Sequence, residues 1–227
     1  MDDRTFDEQT ARQWIRTIEN RANLVREQDL YPRLTAWIEM ASPGRILEIG
    51  CGQGDCSGKI NLAGRSYVGI DPSPFLIERA KELYESENRR FQSGNAYALP
   101  VADRQFDAMF SVMVWHLLGD IQIAAREMGR VLKPGGHFLI VTANPDAYSE
   151  WAGLYLNARI EGRRFEGDMQ LDGKTLDHDV LYFHSLNEIV DSLELAEFKV
   201  GLVEPFRKSK QGQGREYLIS IQGTLSG

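Results

Sequence analysis

The sequence predicts an α/β fold: a doubly wound, mostly parallel sheet with helices on both faces. Three observations predict it. Short apolar runs alternate with amphipathic stretches between residues 45 and 143, at the spacing of repeated strand-helix-strand units. One run, over 106–112, is almost continuously apolar, as expected of a central parallel strand buried on both faces. A glycine-rich turn, Gly50-Cys51-Gly52-Gln53-Gly54, follows the first run directly. Glycines at a strand's carboxyl end let backbone approach a ligand closely, because no Cβ intervenes and positive φ costs nothing.

Each element has its own signal. Residues 7–40 read as one or two amphipathic helices, with a capping box from Thr10 to Gln13 and Pro32 at the start of the second. Trp14, Ile15, Ile18, Leu24, Leu34, Trp37 and Ile38 supply their apolar face. Ser42-Pro43-Gly44 breaks the helix, so 1–44 is expected to form an N-terminal helical cap ahead of a domain over 45–227. The first strand is predicted over 45–49 and the second over 67–71. Ser73 caps and Pro74 opens a helix whose apolar positions Leu76, Ile77, Ala80 and Leu83 keep the 3.6-residue period. Residues 90–93 form a short third strand, and 106–112 the fourth. Asp120 opens the next helix, and Lys133-Pro134-Gly135-Gly136 stops it before a fifth strand over 137–143.

The region 144–184 is polar and aromatic and has no clear strand rhythm. An insertion after the fifth strand lies above the carboxyl end of the sheet, so it is expected to cover a substrate. Ser185 and Glu188 form a capping box for a helix to about Ala196. Residues 198–204 and 216–222 then read as two closing strands, an antiparallel pair at one edge. Arg207, Lys208 and Lys210 stud the loop between them and are read as a solvated hairpin.

Composition bounds the function. At 227 residues the chain suits one large domain. A net charge of −7 and a pI near 5.2 argue against a nucleic-acid backbone as main partner, since phosphate binding needs a basic face. The acidic, polar start is no secretory signal and no run of 18 apolar residues exists, so neither export nor membrane insertion is expected. Cys51 and Cys56 match no zinc or redox spacing; no metal is expected, and such sparse cysteine fits a cytoplasmic protein.

The turn's chemistry follows from its flanks. Glu48 stands two residues before Gly50, and the second strand ends in Asp71, which is placed to accept two hydrogen bonds from a ribose diol. A nucleoside cofactor is therefore expected. A dinucleotide turn needs G-x-G-x-x-G, whereas here the spacing is G-x-G-x-G and position 55 is Asp. A carboxylate at that helix start repels a pyrophosphate but suits a cation. This disfavours a nicotinamide oxidoreductase and favours S-adenosylmethionine, which carries an ammonium and a sulfonium.

Residues 45–143 resemble the class I (seven-strand, Rossmann-like) S-adenosylmethionine-dependent methyltransferases, particularly their small-molecule branch. Four segments carry the resemblance in order: LEIGCGQG (47–54), GIDPS (69–73), GNAYALPVADRQFD (94–107) and REMGRVLKPGGHFLIV (126–141). The resemblance implies a seven-stranded sheet with an antiparallel edge strand. It also implies a cofactor pocket at the carboxyl ends of the first four strands, with S-adenosylhomocysteine as product. The backbone of Gly50, Cys51, Gly52 and Gly54 would hold the methionyl end, and Glu48 would orient the loop through its amides or a water. Asp71 would hold the ribose, Pro72 and Ser73 would line the adenosine, and Asn95 with Ala96 would meet the adenine. The family commonly has an acid where this chain has Asn95, whose amide oxygen can still accept a hydrogen bond. Ser111 and Met113 would touch the sulfonium side.

The acceptor side carries weaker signals. His116, just past the fourth strand, is the candidate general base. His178, Tyr182 and His184 flank the cover, and Tyr31, Trp115, Trp151 and Tyr155 are candidate substrate walls, as is Trp14. His137, at the start of the fifth strand, reads as structural. The expected reaction is methyl transfer to an oxygen or nitrogen of a small molecule, with no nucleic-acid or membrane partner. A non-catalytic cofactor-binding subunit and a protein or RNA methyltransferase are the alternatives. No feature sets the acceptor or the oligomeric state.

Overall fold

In the computed structural model, residues 8, 11, 12, 15, 26–41, 44–171, 174–206 and 217–227 are described. Their strands are β1 (Arg45–Ile49), β2 (Ser66–Asp71), β3 (Arg89–Ser93), β4 (Phe106–Val112), β5 (Leu132–Ala143), β6 (Tyr155–Glu161), β7 (Arg164–Leu171), β8 (Lys174–Tyr182), β9 (Phe198–Phe206) and β10 (Leu218–Leu225). Their α-helices are α1 (Tyr31–Met40), α2 (Asp55–Lys59), α3 (Pro74–Tyr84), α4 (Ile121–Val131), α5 (Tyr148–Ala152) and α6 (Leu186–Leu195). A π-helical turn, Arg26–Leu30, leads into α1. The expectations on Thr10 with Gln13, Trp14, Ile18, Leu24, Ser42-Pro43, Arg207, Lys208 and Lys210, and on the side chain of His178, lie outside the described residues.

Seven strands share one sheet in the order β3-β2-β1-β4-β5-β10-β9. The first five run parallel, and β10 pairs antiparallel with both β5 and β9. The order reverses beside β1, so β1 and β4 carry the crevice at their carboxyl ends. Side-chain alternation splits the core in two. Ile46, Tyr67, Phe91, Ala108, Phe110, Leu139 and Val141 face α1 and α3, where Trp37 meets Phe110 edge-on at 6.4 Å. Leu47, Val68, Ile70, Met109, Phe138 and Ile140 face α4 and α6.

The helix signals hold at the level of single atoms. Ser73 Oγ accepts the Leu76 N–H and Asp120 Oδ1 accepts the Ile123 N–H. Ser185 and Glu188 complete both halves of their capping box, and Pro32 stands in the first turn of α1. Arg130 on α4 ties down the connection from β3 to β4, donating to the carbonyls of Leu99 and Val101 and to Asp103 Oδ1.

Two expectations are corrected. Lys133-Pro134-Gly135-Gly136 does not stand ahead of the fifth strand; it lies within β5, which starts at Leu132. The β4 pairing accommodates it by a register shift, Phe106 facing Leu132 and Ala108 facing His137. Residues 144–184 are not without strands, since they hold a separate antiparallel sheet, β6-β7-β8. Its rhythm is hidden because β6 is exposed at every position after Tyr155 and its pairing slips between Leu156 and Arg159. A strand with one wet face at most positions, and a bulge, has no period-2 apolar pattern to read.

Candidate functional site

The turn after β1 is built around Asp71. The Gly52 N–H donates to Asp71 Oδ2 at 2.9 Å and the Ser73 N–H to Asp71 Oδ1 at 2.9 Å. The N–H groups of Gly50 and Cys51 both donate to the Ile70 carbonyl, so the turn folds back over the end of β2. Gly50, Gly52 and Gly54 have φ of 74°, 54° and 84°, the left-handed region that glycine enters without strain. Two of these glycines serve the protein as well as a ligand. A Cβ on Gly50 would stand 2.2 Å from Val114 Cγ2, and one on Gly54 would stand 3.0 Å from the rings of Phe91 and Tyr84. Cys51 packs inward, its Sγ filling the space over Gly69, so only its backbone belongs to the turn's outer face.

Burial governs the acids here. Asp71 is 7% exposed, and desolvation pushes its carboxyl up to about 6 against the two backbone N–H groups that favour the charged form. Glu48 is 1% exposed and pushed up to about 8 by burial, although the Tyr67 hydroxyl, donating at 2.5 Å, and the Cys56 thiol both favour its charged form. Glu48 therefore does not hold the turn's amides; it faces Tyr67 and the side of the sheet that α1 covers. The parallel register, Ile46 against Tyr67, puts both side chains on one face.

Other cofactor-side expectations meet mixed outcomes. Ser111, one residue before the end of β4, is buried, its Oγ without a hydrogen-bond partner among the described residues. Met113 follows with φ of 60°, a strained backbone for a non-glycine residue, held by its N–H to the Val141 carbonyl at 2.7 Å. Pro72 is half-buried and Ser73 wholly buried beside Asp71. Asn95 is corrected: its amide oxygen accepts the N–H groups of Tyr97 and Ala98, at 2.9 and 3.0 Å, so the side chain closes its own turn and offers outward only its amide N–H. Ala96 is buried in the core. Sequence reasoning missed Gln53, which is 3% exposed, donates to Asp55 and leaves its Oε1 buried without a partner among the described residues. Its position inside the glycine turn was the available signal.

On the acceptor side, four of the expected residues share one pocket. Trp115, His116, Tyr182 and His184 line it together with Thr142 and Phe183. His116 is buried, which lowers its pKa to about 4; its Nδ1 lies 3.2 Å from Thr142 Oγ1 and its ring stacks on Trp151. Trp151 thus backs His116 and donates its indole N–H to the Tyr217 carbonyl instead of walling the pocket. His184 Nε2 lies 2.7 Å from the Leu118 carbonyl, and its ring stacks on Tyr182. Two further expectations fail here. Tyr155 is the core of the small sheet, edge-on to Phe165 at 4.8 Å with its hydroxyl on Asp179. Tyr31 packs on the opposite face of the main sheet, beside Cys56 and Arg26, where burial pushes its hydroxyl up to about 12. His137 faces Ala108 and Thr224 across β5, as a structural residue would.

Comparison with known proteins shows what the chain is similar to. The model of the family described as "Methyltransferase domain" matches residues 47–140. The chain is similar to a fatty-acid O-methyltransferase of Mycolicibacterium smegmatis, 34% identical over 103 residues that take in 44% of this chain and 38% of that one. It is also similar to a phthiotriol/phenolphthiotriol dimycocerosates methyltransferase of Mycobacterium leprae, 28% identical over 63% of this chain and 52% of that one. The chain thus spans about half, or less, of the length of these curated relatives. A solved SAM-dependent methyltransferase from Methanosarcina mazei superposes with a TM-score of 0.69 at 22% identity, over 87% of this chain and 99% of that one, which shows the shared fold. Residues 47–140 are thus similar to methyltransferase domains, and the order of the main sheet is the fold that the chain shares with the solved methyltransferase.

Proposed function

We propose that this chain transfers a methyl group from S-adenosylmethionine to an oxygen or nitrogen of a small-molecule acceptor. The observation that carries the reading is the closed turn of left-handed glycines held on Asp71 at the carboxyl ends of β1 and β2. Each Asp71 oxygen spends one lone pair on a backbone N–H and keeps another, enough for the two hydroxyls of a ribose. Gln53 Oε1 and Ser111 Oγ, buried without partners among the described residues, fit an ammonium and the polar neighbourhood of a sulfonium. Bound there, S-adenosylmethionine would supply an activated methyl carbon and an excellent leaving group.

What the chain's own residues contribute is alignment and exclusion of water, which together supply several kcal/mol of barrier lowering. Val114, lying over Gly50, joins the turn to the pocket that begins at Trp115. Tyr182 of β8 and Phe183 cover that pocket, and 26–41 packs as a helical cap over the other face. The acceptors in the relatives' names, a fatty acid and phthiotriol dimycocerosates, support a small molecule over a macromolecule. A cytoplasmic setting agrees with two free, buried cysteines; no described helix is long and apolar enough to cross a membrane.

Thermal unfolding with S-adenosylhomocysteine and, separately, NAD tests this reading. A ligand at 100 times its dissociation constant stabilises the native state by about 2.7 kcal/mol. Stabilisation by S-adenosylhomocysteine alone is expected, reduced in Asp71→Asn, which keeps the side chain's shape and one of its two acceptor oxygens. Asp71→Ala is the poorer probe, because it also frees the N–H groups of Gly52 and Ser73. Stabilisation by NAD alone would refute the reading.

A further inference from the structure

We infer that β6 is an interface between two copies of this chain, which pair antiparallel along their outer edges, centred on Ile160, and join two small sheets into one of six strands. The inference does not depend on the methyl-transfer reading above. β6 stands at the end of the order β6-β7-β8, so one of its edges meets no described strand. Every residue of β6 after Tyr155 is exposed, Ile160 among them at 54%. The direction of its backbone groups follows from the neighbouring strand. The Phe183 N–H donates to the Arg163 carbonyl at 2.9 Å, so Arg163 turns its carbonyl toward β8. Direction alternates along a strand, so Arg164 turns toward β6 and Phe165 toward β8 again. Phe165 stands opposite Ile160, and the N–H and C=O of Ile160 therefore point away from β7, off the outer edge.

Charge selects the partner. Arg159 and Glu161 share one face of β6, opposite Glu166 and Arg164 of β7. Arg164 and Glu166 form an ion pair with each other, and no described residue forms one with Arg159 or Glu161. Antiparallel pairing centred on Ile160 sets Arg159 of each copy opposite Glu161 of the other. Each row across the joined sheets then alternates in sign, running Glu166, Arg159, then Glu161 and Arg164 of the second copy. In this register the two Ile160 residues exchange both backbone hydrogen bonds, and the flanking Arg–Glu pairs are the unbonded kind, whose side chains stand closest. Moving the centre by one residue would oppose Arg159 to Arg159, or Glu161 to Glu161, and like charges there destabilise. A centre on Ala158 is blocked by the irregularity between Leu156 and Arg159, where Asn157 has φ of 54°.

Charged side chains on an edge strand ordinarily keep other strands away. An arbitrary strand laid against β6 would leave Arg159 and Glu161 unmatched; a second copy matches both and covers the exposed side of Ile160. The contact is short. Standard interfaces bury about 1,600 Å², and a few residues of one strand bury less, so the dimer is a reversible one with a Kd of about 10–100 μM.

Sedimentation velocity of the full chain tests this. The weight-average mass of the wild type should rise from monomer toward dimer between about 1 and 300 μM, a range that brackets that Kd. Arg159→Glu and Glu161→Arg each set like charges against each other twice across the contact, so either variant alone should stay monomeric over the whole range. Mixed in equal amounts, the two variants bring opposite charges together at both positions, and dimers should return. Chains that had only misfolded would not recombine, so the mixture separates a lost contact from a lost fold. The doubly reversed chain, Arg159→Glu with Glu161→Arg, should dimerise as the wild type does. A wild type that stays monomeric at the top of the range would overturn the inference. So would a dimer that survives either single reversal, which would put the interface elsewhere, or single variants that remain monomeric when mixed.

Discussion

At the scale of single residues, Gly50 and Glu48 show how differently two letters of one motif behave. Gly50 is needed twice, for a φ of 74° and for the 2.2 Å that would separate its Cβ from Val114. Gly64 has a similar φ of 79° with nothing within 4 Å, so it isolates the backbone part. Gly64→Ala should cost about 1 kcal/mol, and Gly50→Ala roughly 2–4 kcal/mol once overpacking adds to it. Urea unfolding of the two variants checks this, and equal costs would mean that Val114 moves aside freely. Glu48, by contrast, is a protonated acid at neutral pH. Its folded pKa of about 8 lies above the ordinary 4.5, so the native state binds more protons than the unfolded state between those values. Its contribution to stability is therefore full below pH 4.5 and declines as pH rises through about 8. Unfolding free energy of the wild type relative to Glu48→Gln should fall between pH 5 and pH 9. A constant difference across that range would mean that Glu48 is ionised throughout. The glycine turn at the end of β1 was legible in the sequence; the neutrality of Glu48 was not, because it depends on Tyr67 and on the helices that seal that face.

At the scale of elements, helix starts were the most legible features, since a cap is a contact between residues three apart. Ser73, Asp120 and Ser185 each do what their spacing predicts. The small sheet was illegible for the opposite reason. Its core is a chain of edge-on rings, Tyr155 on Phe165, Phe165 on Phe183 and Phe183 on Tyr148, contributed by positions far apart along the chain. Phe165 is 0% exposed at the centre of that chain. Phe165→Ala should destabilise the small sheet by about 3–5 kcal/mol while the main sheet, whose core it does not share, stays folded. Near-UV circular dichroism should lose signal at a temperature where far-UV signal persists. Coincident transitions would show instead that the two sheets unfold as one unit.

For the whole molecule, stability follows the order of the strands in the main sheet. β1 and β4 lie inside it with both faces covered, Leu47, Ile46, Phe110 and Met109 all being buried. β6 lies at an edge of the separate small sheet, with Leu156 and Ile160 more than half exposed. Amide exchange should therefore be slowest in β1 and β4, limited by global unfolding, and fastest among the strands in β6, through local opening. Faster exchange in β1 than in β6 would contradict this layering. The sequence by itself determined the strands of the parallel half, the helix caps, the glycine turn and Asp71, because period, capping and turn chemistry are local and repeat along the chain. Only the tertiary structure decided that Tyr31 and Tyr155 pack away from the pocket, that Asn95 spends its oxygen on its own turn, and that His116 and His184 share one pocket lacking charged side chains. Those outcomes depend on which faces meet and on what burial does to a charge, and neither is written in the spacing of residues along one strand or helix.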